Sequence, residues 1–123
     1  MGRFRRLIAM AAVSALALGA HAANAEGKLK VAFIPGIASD PFFLAMEKGA
    51  KAAADKLGID LVWQGSASEY SPQSQLPFVE AALADDIDAL ILVPTDPDGL
   101  QPSVARAEAA GILTYPDQIP ENG

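Results

Sequence analysis

From residue 29 onward the chain alternates between two apolar patterns. Short, nearly continuous apolar runs occur at Leu29–Ile34 (LKVAFI), Ile59–Trp63 (IDLVW), Asp88–Val93 (DALILV) and Ile112–Tyr115. Runs of this length, the first closed by Pro35-Gly36 and the third by Pro94, read as strands. Between them the apolar residues take helical spacing. Pro41–Leu57 carries Phe43, Met46, Ala50, Ala53 and Leu57 at steps of three and four, which predicts a core-facing stripe. Gly58 stands where a helix-ending glycine belongs. Pro72–Ala84 and Asp98–Ala110 are the second and third predicted helices, and Gly111 ends the third. Pro77 either kinks the second helix or marks its true start.

The strand–helix unit recurs at about 29 residues, the spacing of βαβ units. Right-handed crossovers then make the strands parallel. Strands as uniformly apolar as ALILV suit a sheet covered on both faces. The predicted architecture is an α/β, doubly wound parallel sheet of order 2-1-3-4. In such sheets ligands bind outside the carboxyl ends of the strands, where strand order reverses. The segments to inspect are therefore Pro35–Pro41, Pro94–Asp98 and Pro116–Gln118. A fourth strand reading Ile-Leu-Thr-Tyr would be an apolar edge, and such edges are normally paired, covered or charged. The pattern thus reads as an incomplete domain.

The first 25 residues change the picture of the rest. Met1–Arg6 holds three arginines and no acid, Leu7–Ala20 is apolar or small throughout, and Ala23-Asn24-Ala25 is a small-residue exit. This is the pattern of a cleaved secretory signal peptide, and its apolar run is shorter than the roughly 20 residues a membrane-spanning helix needs. Residues 26–123 would then form the mature chain. Loss of Arg3, Arg5 and Arg6 leaves six basic residues against 15 acidic ones, a formal net charge of −9. So acidic a chain without a basic cluster is a poor partner for nucleic acid or an anionic membrane. It has no cysteine, which removes disulfides, thiolate metal sites and thiol nucleophiles. The lone histidine, His21, lies in the signal segment. No phosphate-cradling, metal-ligand or nucleophile-elbow motif is present, so no cofactor is implied. Export without an anchor points to the periplasm.

Candidate chemistry concentrates at the predicted strand ends. After the first strand comes PGIASDPFF, in which Asp40 can cap the helix, contact a ligand, or do both. Phe43 belongs to the core stripe. Phe42 belongs to a row otherwise made of Ala45, Gly49 and Ala52, so its ring is available to stack on the apolar face of a sugar. After the third strand comes PTDPDGL, where Asp98 is the simplest cap and Asp96 is left with no capping duty. After the fourth strand, Tyr115-Pro116-Asp117-Gln118 brings a third carboxylate, readable also as a solvated turn residue. Asp85, Asp86 and Asp88 sit at the opposite end of the sheet and read as a solvated turn.

The stretch KVAFIPGIASDPFFLAMEKGAKAAADKLGIDLVW, continued by ALILVPTDPDGL, resembles the start of periplasmic sugar-binding proteins of the ribose-binding type. These are the substrate receptors of ABC importers, related in fold to the inducer-binding core of LacI-type repressors. The resemblance covers residues 28–118 and implies the first of two lobes that close on a ligand. It places a hydroxyl-binding polar residue on Asp40, ring-flanking aromatics on Phe42 and Phe43, a cleft-lining acid on Asp96, and a hydroxyl acceptor on Asp117 beside Gln118. It implies a monosaccharide or polyol ligand, an inner-membrane permease partner engaged through the full receptor, a monomer, and no catalysis. The segment GILTYPDQIP departs from the family pattern by being shorter and by placing Pro116 before Asp117, which leaves the register of Asp117 open. A sensor ectodomain is the competing binding reading and would need a retained N-terminal helix and a downstream membrane segment. A Mg²⁺-dependent enzyme of flavodoxin-like fold is the competing catalytic reading and would show stabilisation by Mg²⁺ rather than by sugars.

Overall fold

The computed structural model describes residues 27–116. The expected signal segment, Asp117 and Gln118 lie outside the described residues. Seven elements follow in order: β1 (Lys30–Ile34), α1 (Pro41–Leu57), β2 (Asp60–Trp63), α2 (Pro72–Leu83), β3 (Ala89–Leu92), α3 (Pro97–Ala109) and β4 (Leu113–Tyr115). The strands form one parallel sheet of order β2-β1-β3-β4, the predicted order. β1 pairs Phe33 with Trp63 on one side and with Ile91 on the other.

Each helix opens on a capping side chain followed by proline: Asp40-Pro41, Ser71-Pro72 and Asp96-Pro97. The cap accepts a hydrogen bond from an otherwise orphaned amide, and proline at the first helical position lacks only an N–H that the helix would not use. α1 ends at Gly58, whose φ of 68° is a left-handed conformation that glycine adopts without strain. Of the two expectations for Pro77, that it marks the true start of the helix is overturned, since α2 begins at Pro72. α2 continues through Pro77, and α3 continues likewise through Pro102. Both prolines are exposed, as are Gln73 and Asp98 four residues earlier, so water can serve the carbonyls that lose their helical donors.

The main core lies between the sheet and the α2–α3 pair. Ala32, Ile34, Leu90 and Leu92 of the central strands pack with Val79 of α2 and Leu100 of α3, all nearly or fully buried. Three polar side chains are buried as well, Gln75, Ser103 and Thr114, and each is hydrogen-bonded. Such groups must be paired, because an unpaired buried donor or acceptor costs about 1–3 kcal/mol.

The opposite face is covered only in part. α1 buries Phe43 and Ala54 there and half-buries Met46 and Ala50, but Ala53 and Leu57 of the predicted stripe are exposed. Both line an apolar groove of about 470 Å³ whose far wall is Ile91, Leu113 and Tyr115. The stripe therefore faces the sheet as its periodicity requires. It stays uncovered because, among the described residues, no element lies over β3 and β4 on this side.

Candidate functional site

All four strands are parallel, so their carboxyl ends emerge at one edge of the sheet. The last rung joining the two central strands runs from the Val93 amide to the Ile34 carbonyl, at 2.9 Å. Beyond it the chain after β1 turns to α1 on one face, and the chain after β3 turns to α3 on the other. The divergence of these two loops is the strand-order reversal at which ligands bind in this architecture.

The first loop is built for close approach. A Cβ on Gly36 would come within 2.4 Å of Tyr70 Cε2 and 3.0 Å of Phe43 Cζ, so only glycine lets these two rings meet the backbone there. The loop is tied sideways to the segment after β2. The Ala38 amide donates to the Ser66 carbonyl at 2.7 Å, and the Ser39 hydroxyl donates to the Ala67 carbonyl. Asp40 then caps α1, its Oδ1 accepting from the Phe42 amide at 2.8 Å.

Phe42 and Phe43 divide as their helical positions predict. Phe43 is 8% exposed and Phe42 66% exposed. Their rings meet edge to face, with centroids 5.2 Å apart and an interplanar angle of 85°. The edge of one ring against the face of the other is the favoured aromatic arrangement, and it holds the exposed ring upright on a buried base.

The loop after β3 corrects one expectation. The cap of α3 is Asp96, not Asp98: Asp96 Oδ1 accepts from the Gly99 amide at 2.8 Å, and Asp98 is exposed in the first helical turn. The helix starts one residue earlier than its apolar spacing suggested because Pro97 takes the first position, as Pro41 does in α1. Asp96 thus has a capping duty and stands where Asp40 stands, at a helix amino end on the ligand side of the sheet. Asp117 and Gln118, the remaining predicted contacts, follow β4 outside the described residues. The Tyr115–Pro116 peptide just before them is cis.

Sequence reading overlooked Tyr70, which lies in a polar loop and is brought to Gly36 only by the turn into α2. An aromatic residue after the ligand-side end of β2 was the available signal. Trp63 ends that strand, stacks on Phe33 with centroids 4.7 Å apart, and keeps its Nε1 buried without a partner among the described residues. Two titratable groups shifted from their ordinary range lie elsewhere. Lys30, at the amino end of β1, is raised by its hydrogen bond to Asp85. Glu80, between α2 and α3, is lowered by its hydrogen bond from Arg106. Among the described residues no group of three or more His, Cys, Asp or Glu is placed to hold a metal ion.

The doubly wound sheet thus brings aromatic and acidic residues to its strand-order reversal, where sheets of this kind bind ligands. The chain belongs to the periplasmic binding protein domain family, whose model matches residues 31–121. It is 36% identical over 117 residues to the D-ribose/D-allose-binding protein of Pseudomonas aeruginosa, an alignment covering 89% of this chain and 36% of that protein. It is also 36% identical over 101 residues to the ribose import binding protein RbsB of Escherichia coli, covering 81% of this chain and 33% of that protein. The chain therefore spans about a third of the length of these curated relatives.

Solved structures share the fold. An ABC transporter solute-binding protein from Agrobacterium vitis bound to α-D-tagatopyranose superposes with a TM-score of 0.66 at 36% identity, over 71% of this chain and 29% of that one. A periplasmic solute-binding protein from Actinobacillus succinogenes with bound D-allose gives a TM-score of 0.66 at 32% identity, over 71% of this chain and 30% of that one.

Proposed function

We propose that this chain forms the N-terminal, sugar-recognising lobe of a periplasmic receptor for an ABC-type importer, with a monosaccharide or polyol as ligand. The observation that carries the reading is the exposed Phe42 ring, braced by buried Phe43 beside the Asp40 carboxylate at the carboxyl end of β1. A flat apolar surface next to a fixed acceptor suits a sugar, which offers an apolar ring face and a rim of hydroxyl donors. Phe42 stacks on the ring face. Asp40 accepts from hydroxyls with its remaining capacity, each bond to a charged group contributing about 1.5–3 kcal/mol. Asp96 lines the facing side, and Asp117 with Gln118 adds a further acceptor beyond β4.

The named relatives are ribose- and ribose/allose-binding proteins, which supports a small polyhydroxylated ligand. Recognition is by hydrogen bonding and stacking, and no bond is made or broken. The basic, then apolar, then small-residue pattern of residues 1–25 supports export to the periplasm, where the assembled receptor delivers its sugar to the permease.

The test is a titration of the purified protein with D-ribose, D-allose, D-tagatose and xylitol, followed by amide chemical shifts and thermal unfolding. Saturable shifts at Gly36, Phe42 and Asp96 are expected. Stabilisation by Mg²⁺ with no response to any of the four ligands would overturn the reading.

A further inference from the structure

Among the described residues Gln75 is the most completely buried polar side chain, with 0% exposure. Its Nε2 donates to the Pro35 carbonyl at 3.1 Å and to the Val93 carbonyl at 2.7 Å. Its Oε1 accepts from the Thr95 amide at 3.0 Å and from the Thr95 hydroxyl at 2.9 Å. A primary amide has two N–H donors and two acceptor lone pairs, and all four are used.

The Pro35 and Val93 carbonyls and the Thr95 amide lie just past the end of the β1–β3 ladder. Once the two strands diverge, the carbonyls of Pro35 and Val93 have no rung to accept from, and Pro94 has no N–H to offer. Gln75 supplies the missing rung from α2.

We propose that Gln75 is a positioning residue for the sugar site: its carboxamide fixes the separation between the loop after β1, which carries Asp40 and Phe42, and the loop after β3, which carries Asp96. The inference rests on the sugar-binding reading above. No other natural side chain of this size presents two donors and two acceptors in one plane. Leucine would leave Pro35 and Val93 unsatisfied, and glutamate would turn a negative oxygen toward their carbonyls.

The experiment compares the unsubstituted protein with Q75E and Q75L, reading amide exchange and sugar affinity together. In Q75E at pH 7 the Thr95 amide and the 36–40 loop should exchange at least tenfold faster, while the β2 amides of Leu61 and Val62 change less than threefold. Affinity for the tightest of the four ligands should fall about tenfold. Near pH 5 the protonated carboxyl regains one donor, and Q75E should recover part of both losses while Q75L recovers neither.

Sugar affinity of folded Q75E within twofold of the unsubstituted protein at pH 7 overturns the proposal. So does faster exchange spread evenly over all strands, which marks Gln75 as core filling alone. Should the variants not fold, the unsubstituted protein still decides. The Gln75 Nε2 protons must shift saturably with the ligand that shifts Phe42, and a ligand that moves Phe42 without moving them overturns the role. Where the variants do fold, absence of any saturable shift with all four ligands, beside an intact exchange difference between Q75E and the parent, overturns the sugar reading itself.

Discussion

Phe42 and Phe43 are neighbours in sequence and touch edge to face at 5.2 Å, yet one is 66% exposed and the other 8%. Successive residues on a helix point about 100° apart, so a pair at the first turn necessarily divides between inner and outer directions. The inner ring reaches Gly36 at the end of β1, and the outer ring stands on it. A helix start that looks overloaded with aromatic surface is in this way one ring of core and one ring of platform.

Truncating each ring should separate the two roles. F43A removes a buried ring and is expected to cost about 3 kcal/mol in urea unfolding, as large-to-small core changes do. F42A should stay within about 0.5 kcal/mol of the parent, as exposed positions do, yet abolish the sugar-induced shifts. A destabilised F42A that still binds would contradict the assignment.

The caps give a second set of contrasts. D40A and D96A should each cost about 1 kcal/mol, the usual value of a capping carboxylate, whereas D98A should be near neutral. Asn caps about as well as Asp, so D40N should keep its stability while losing the charge that the proposed function assigns to sugar hydroxyls. Equal unfolding midpoints for D40N and the parent, with at least fivefold weaker sugar binding, is the expected result. Equal binding would reduce Asp40 to its cap.

The cap of α3 marks where the sequence was legible and where it was misread. β1 and α1 follow from apolar runs, Pro35-Gly36, Asp40-Pro41 and Gly58, because each of these signals is local, and the sheet order follows from the strand–helix alternation. Asp96-Pro97 repeats Asp40-Pro41, and that repeat, not the apolar spacing, marks the start of α3. Pro77 leaves two sequence readings open for a related reason. Periodicity cannot tell whether a proline faces water, where its missing bond is cheap, or the core. The roles of Tyr70 and Gln75 were not legible at all. Each depends on a contact across more than 30 residues, Tyr70 with Gly36 and Gln75 with Pro35, that only the folded sheet creates. The uncovered half of the α1 face likewise depends on what packs there, which periodicity does not report.

Gly36 and Tyr70 should be coupled. A methyl group at Gly36 would meet the Tyr70 ring at 2.4 Å and Phe43 at 3.0 Å, and overpacking of this kind costs about 1–3 kcal/mol. Tyr70 is 53% exposed and can be removed with little loss. G36A should therefore be less costly in a Y70A background, by about 1 kcal/mol in a double-mutant cycle. Strict additivity of the two changes would show that Tyr70 does not lie on Gly36 in solution.

The Glu80–Arg106 pair predicts the acid limb of stability. Arg106 donates to Glu80, Ser103 donates to the same carboxylate oxygen at 3.1 Å, and the Glu80 pKa lies below its ordinary 4.5. A carboxylate with a lowered folded pKa contributes stability that is complete above its unfolded pKa and disappears as pH falls through the folded one. The two side chains are 46% and 59% exposed, so solvent screening holds the contribution to about 0.2–1 kcal/mol. Other carboxylates titrate in the same range, and the informative quantity is therefore the difference between E80Q and the parent. That difference should be constant from pH 8 to pH 6, shrink below about pH 4.5, vanish at the acid extreme, and narrow in 0.5 M salt at neutral pH. A gap that persists unchanged down to pH 2 would mean that E80Q acts by losing packing or the Ser103 bond, and not by losing the charge.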